Sequence, residues 1–235
     1  RKNKKMQPQA KFILYLWDDV ARVEHFKENK KYYDEIYSFD LKDVREYGIK
    51  HLPLFYTDCH AYHGEEKKYI LNMSGIIHSS RISVLDKIMT GCRLDEKKCF
   101  IYMLGTKMKH YFQAVLPGGC KWMSLKYIHV FGKKFEDMAD IMKHSKAALD
   151  VQFGSQAGLT MRTFESIGSH TKLITTNPYV TEYDFYKYGN ICLIDKDNPT
   201  VPDDFFTTDY NEIPEEIVEK YSLSSWIYTI LGKAK

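Results

Sequence analysis

Short apolar runs, each ended by small or polar residues and separated by stretches of helical length, recur along this chain and restrict it to folds built from β-α-β units. The first run is Phe12-Ile13-Leu14-Tyr15-Leu16-Trp17, closed by Asp18-Asp19, the pattern of a buried parallel strand that ends in a polar loop. Residues 35–39 read as a second strand, Asp40 as the N-cap of a following helix, and 51–56 as an extended segment. A polar, turn-rich stretch from Thr57 to Lys68 precedes a new alternation that opens at Tyr69. There the pattern predicts strands at 69–75, 98–104, 126–131, 147–153, 172–176 and 190–195. Helices are predicted at 80–90, 106–115, 135–144, 158–168, 181–188 and 214–231. The fold class is therefore α/β with parallel sheets, whose crossovers are right-handed in nearly all proteins.

With 44% hydrophobic and 28% charged residues in 235, the chain is of globular composition and long enough for a sizeable core. No stretch approaches the roughly 18 apolar residues that span a membrane. Its 34 basic and 31 acidic residues are too balanced for a nucleic-acid binder. Only the ends are locally basic, at Arg1-Lys2-Asn3-Lys4-Lys5 and Lys233-Ala234-Lys235. They read as solvated tails, with peripheral contact to an anionic membrane face as the other reading. The five cysteines form no CxxC pair, which points to a reducing cytoplasm and to folding without a structural metal or disulfide. The start at Arg1 leads almost directly into a strand, and an upstream portion is expected.

Parallel sheets bind ligands at the carboxyl ends of their strands, so chemistry is sought in the loops after Leu16, Gly75, Phe153, Thr176 and Ile194. The richest is 150–165, where small and polar residues lead into a helix whose first turn offers N–H groups around Gly158, Leu159 and Thr160, a seat for phosphate. Arg162 and Glu165 on that helix are spaced either for a surface ion pair or to face one cleft. The loop after Gly75 carries His78 and Arg81, a histidine that is structural or catalytic and an arginine that is a helix-surface residue or a phosphate ligand. Asp18 suits a turn or cap, or a base that deprotonates a hydroxyl. Asp195-Lys196-Asp197 matches a metal-binding DxD pattern, yet it runs into Asn198-Pro199 and reads as a turn. Tyr183, Phe185 and Tyr186 are the aromatic residues expected near a ligand.

The runs Gly158 to Gly168, Lys172 to Asn177, Tyr183-Asp184-Phe185-Tyr186 and Asn190-Ile191 resemble bacterial capsular and lipopolysaccharide glycosyltransferases of GT-B architecture. Leu14-Tyr15-Leu16-Trp17-Asp18, Ser38-Phe39-Asp40, Leu52-Pro53-Leu54-Phe55-Tyr56 and the stretch from Gly75 to Arg81 extend the likeness over nearly the whole chain. The resemblance implies two Rossmann-like domains, the first incomplete: 1–62 as the remainder of an acceptor-side domain and 63–235 as the nucleotide-sugar-binding domain. It implies transfer of a sugar from a nucleotide-sugar donor to a hydroxyl of a cell-surface glycan precursor, without a cofactor. In that scheme Glu165 accepts hydrogen bonds from ribose hydroxyls, the amides near Gly158 and Thr160 hold the pyrophosphate, and Arg81 neutralises the departing diphosphate. Many relatives carry two glutamates eight positions apart, whereas Ala157 stands eight before Glu165, which leaves retention or inversion open. The alternative from another class is a catalytically inactive nucleotide-binding or assembly module of a polysaccharide system. No G-x-G-x-x-G follows the early strands, which argues against a dehydrogenase.

Overall fold

The computed structural model describes residues 6–77, 79–105, 125–152 and 157–233. His78 and the helix expected at 106–115 lie outside them. Two parallel sheets form. The first joins β1 (Ile13–Leu16), β2 (Glu35–Ser38) and β3 (Lys50–His51) in that order, with Ile13 opposite Glu35 and Tyr37 opposite Lys50. The short helix α1 (Phe26–Asn29) and helix α2 (Leu41–Tyr47) connect these strands. Helix α2 starts where the sequence places it, because the Asp40 side chain accepts from the amides of Lys42 and Asp43.

The second sheet contains β4 (Tyr69–Ile76), β5 (Cys99–Leu104), β6 (Ile128–His129), β7 (Ser145–Asp150), β8 (Lys172–Thr175) and β9 (Ile191–Leu193). Its order is β6-β5-β4-β7-β8-β9, all parallel. Counted from β4 this is the doubly wound arrangement, and the order reverses between β4 and β7. Helices α3 (Ser79–Gly91), α4 (Phe135–Lys143) and α5 (Met161–Gly168) flank it. Leu71, Met73, Leu85, Ile88, Met103 and Leu149 fill its main core.

A second apolar cluster ties the two sheets together, bringing Phe39 and Leu54 of the first unit against Leu159, Phe164 and Phe185 of the second. The segment between the sheets is hydrogen-bonded to the second unit, with Tyr62 N–H donating to Gly168 O. Lys67 Nζ donates to Lys143 O at 2.7 Å and Ser169 O at 2.9 Å, closing the C-terminal carbonyls of α4 and α5 with one cation.

Two expected helices differ. Residues 181–188 form two 3-10 turns, Pro178–Glu182 and Tyr186–Tyr188, because Asn177 caps the first and Val180, Tyr183 and Phe185 turn inward to pack. The terminal helix is split into α6 (Glu215–Lys220) and α7 (Leu223–Leu231). Tyr56 causes the break: its N–H donates to Tyr221 O and its carbonyl accepts from Leu223 N–H, occupying groups a continuous helix would pair internally. Ser222 then caps α7 through Ser225 N–H. Trp226 of α7 packs on Tyr15 and Phe55, so the chain ends against the first sheet.

Candidate functional site

The carboxyl ends of β4 and β7 flank the point where strand order reverses, and two arginines converge there. Arg81, in the first turns of α3, donates from Nη1 to Ile76 O at 3.1 Å and from Nη2 to Val151 O at 3.4 Å. It thus bridges the two strand ends. Arg162, in the first turn of α5, donates to Leu149 O at 3.4 Å and to Ser74 Oγ at 3.2 Å. Gly75 makes this approach possible: its φ is +148°, and a Cβ there would lie 2.7 Å from Arg81 Nη1.

The two guanidiniums are partly desolvated and repel each other. Burial first, and then the Arg162 charge, lower the Arg81 pKa to about 10, so the group stays cationic at neutral pH. Among the described residues the Nε–H groups of both arginines are buried without a hydrogen-bond partner. An anion in the crevice would relieve both the repulsion and the unmet donors. Asp150, the last residue of β7 and almost fully buried, accepts from Thr160 Oγ at 2.8 Å and stands beside this pair.

Glu165, one turn beyond Arg162, faces the same cluster. Its side chain is 14% exposed, so it is a mostly buried carboxylate and not an open cleft residue. Burial raises its pKa, with Arg162 opposing the rise and Asp150 adding to it. His60 Nε2 lies 3.9 Å from Glu165 Oε1, and His60 Nδ1 is 3.2 Å from Thr57 Oγ1. Burial, reinforced by Lys143, depresses the His60 pKa to about 4, which leaves the ring neutral at pH 7.

The other residues singled out in the sequence fall elsewhere. Gly158 N–H and Ala157 N–H both donate to Asp40 Oδ2 at 2.9 Å, so these amides are already engaged. Gly158 is needed for the aromatic ring of Phe39, which a Cβ would meet at 2.3 Å. Leu159 is core, and Thr160 turns its hydroxyl to Asp150. Tyr183 is buried against Phe164 and Phe185 with its hydroxyl 3.3 Å from His51 Nε2, in a different cavity. Asp18 is exposed and lies 3.7 Å from Arg22. Asp195 Oδ1 accepts from Asp197 and Asn198 N–H, the turn read in the sequence. No group of three or more potential metal ligands occurs among the described residues. No helix there is long and apolar enough to cross a membrane.

Sequence reasoning missed Asp150, Ser74 and His60. A carboxylate ending the run Ala147-Ala148-Leu149-Asp150 was the available signal for the first. A cavity of about 550 Å³ lies along the ends of β7, β8 and β9, lined by Gln152, Thr176, Pro178 and Ile194 among others. Its volume is that of a small-molecule site.

No protein-family model matches the sequence, and no curated protein matches it. Solved structures do. WaaG, a glycosyltransferase involved in lipopolysaccharide biosynthesis, superimposes with a TM-score of 0.53 at 12% identity, over 97% of this chain and 75% of that one. A glycosyltransferase from Rickettsia africae ESF-5 gives 0.50 at 14% identity, over 95% of this chain and 69% of its own. At such identity the likeness is one of fold. The chain therefore has an α/β fold of the GT-B kind, two Rossmann-like units with parallel sheets, as these glycosyltransferases do.

Proposed function

We propose that this chain belongs to a glycosyltransferase that moves a sugar from a nucleotide-sugar donor to a hydroxyl of a cell-surface glycan precursor. The observation that carries the reading is the arginine pair at the strand-order switch, whose buried Nε–H groups lack partners among the described residues. Such a pair suits a diphosphate: the fork of each guanidinium matches two phosphate oxygens, and its charge is permanent. Catalysis in this scheme rests on holding donor and acceptor together and on stabilising the diphosphate as it leaves with the bond to the anomeric carbon broken. Arg81 and Arg162 take that charge. Glu165 accepts from the ribose hydroxyls, and the acceptor approaches from the side of the first sheet. The GT-B-like fold supports the reading, since WaaG and the Rickettsia africae protein that share it are glycosyltransferases.

A second reading, a nucleotide-binding or assembly module without transferase activity, is favoured by one observation. Asp18, the carboxylate considered as a base, sits at the surface beside Arg22. A panel of nucleoside diphosphates and nucleotide sugars, read by thermal stabilisation, tests both. A ligand at about 100 times its Kd adds about 2.7 kcal/mol. Stabilisation by a nucleotide sugar together with its slow hydrolysis supports the transferase; stabilisation without turnover supports the module; a flat panel removes the crevice as a nucleotide site.

A further inference from the structure

Away from the arginine pair, a cavity of about 400 Å³ opens between the end of β3 and the C-terminal helices. Its volume lies in the range of small-molecule sites. One wall is aromatic. Trp226, Phe55, Tyr183 and Tyr221 contribute to it, with Leu52 and Leu54 behind. The Trp226 indole N–H is buried beside the Tyr15 hydroxyl, in a contact too poorly aligned to count as a full hydrogen bond among the described residues. The indole ring therefore sits in the wall where an occupant of the cavity would perturb it.

Polar groups adjoin this wall. Asp184 accepts from Lys220 Nζ at 2.7 Å and from the Tyr221 hydroxyl at 2.6 Å, and Glu182 pairs with Arg45. These charges compensate one another locally, so neither an anion nor a cation is favoured by the rim. Each carboxylate oxygen nonetheless retains a lone pair for a further donor. His51, with its Nε2 at 3.3 Å from the Tyr183 hydroxyl, is held mainly neutral by burial, which lowers its pKa. The lining therefore offers an apolar, aromatic face and spare acceptors, and it carries no net charge for the ligand to balance.

We propose that this cavity binds a neutral pyranose unit, its C–H face against the aromatic wall and its hydroxyls donating to Glu182 and Asp184. The site is separate from the β4–β7 crevice and does not depend on a nucleotide being bound there.

The test follows the Trp226 indole N–H signal by heteronuclear NMR, assigned from its loss in Trp226→Phe, while methyl glycosides of glucose, galactose, mannose and N-acetylglucosamine are added to tens of millimolar. At least one should shift the signal saturably. Thr229, exposed at the lip, is replaced in Thr229→Tyr to fill the mouth without disturbing the core. That variant should weaken the glycoside at least tenfold. The proposal is overturned if none of the four moves the signal, if the response survives Thr229→Tyr undiminished, or if uridine or adenosine moves it and no glycoside does. None of these results turns on the crevice, which Arg81→Ala probes separately with UDP.

Discussion

The carboxylate of Asp40 meets the amide of Gly158 at 2.9 Å, across the junction between the two sheets. The same side chain accepts from Ala157 N–H with that oxygen and from Lys42 and Asp43 N–H with the other. One residue thus starts α2 and pins the loop that leads into α5.

Asp40→Ala removes a helix cap, a change that costs about 0.5–2 kcal/mol, and leaves two buried amides unmet at about 1–3 kcal/mol each. Unfolding in urea should show a loss of about 2.5 kcal/mol or more, beyond a cap alone. A loss under 1 kcal/mol would mean that the loop relaxes to water without Asp40.

Glu165→Gln should separate stability from binding. Burial raises the Glu165 pKa, so above its unfolded value the acid opposes folding. The amide removes that opposition, and the melting temperature without ligand should hold or rise. Nucleotide affinity should fall roughly tenfold to a hundredfold, since a hydrogen bond to a charged group contributes about 1.5–3 kcal/mol. Unchanged affinity by calorimetry would take Glu165 out of the site.

Arg81→Ala should weaken a nucleoside diphosphate far more than the bare nucleoside, because the guanidinium is assigned to phosphate oxygens. Gly75→Ala should reproduce much of this effect without touching the charge, as its Cβ would displace Arg81 Nη1 from 2.7 Å. Equal weakening of nucleoside and diphosphate in Arg81→Ala would place the arginine elsewhere.

Stability should fall as pH drops from about 6.5 towards 4, in part through His60. Its folded pKa of about 4 lies below the ordinary 6.5, so over that window the unfolded chain takes up a proton that the folded chain refuses. Glu165, with a raised pKa, acts in the opposite sense as it protonates. Comparing denaturation midpoints of the native chain and His60→Gln isolates the histidine: the variant should show the shallower fall. Parallel curves would mean that His60 is protonated in the fold.

Much of this architecture was legible in the sequence. Strands such as Tyr69–Ile76 and Ser145–Asp150 are covered on both faces and so appear as apolar runs with abrupt polar ends. Asp40 was legible as a cap because its first partners are two and three residues away. Its second pair lies 117 and 118 residues on, a relation no local pattern encodes. Spacing put Arg162 and Glu165 near one cleft but could not show that His60, from the segment between the sheets, would lie against Glu165. Tyr183 was grouped with the ligand because it clusters with Phe185 and Tyr186 after a strand, whereas packing against Phe164 draws it inward.

The parallel bridge between Tyr56 and Ser222 joins two distant parts of the chain. The chain passes from the first sheet to the second near Tyr56 and returns near Ser222, and the two passages are stitched together by backbone hydrogen bonds. Phe39 and Leu54 pack against Phe164 at the same junction and Asp40 holds Gly158 across it, so the two passages share one border with the buried cluster. A change at Tyr56 therefore reaches both the outgoing and the returning strand of chain at once.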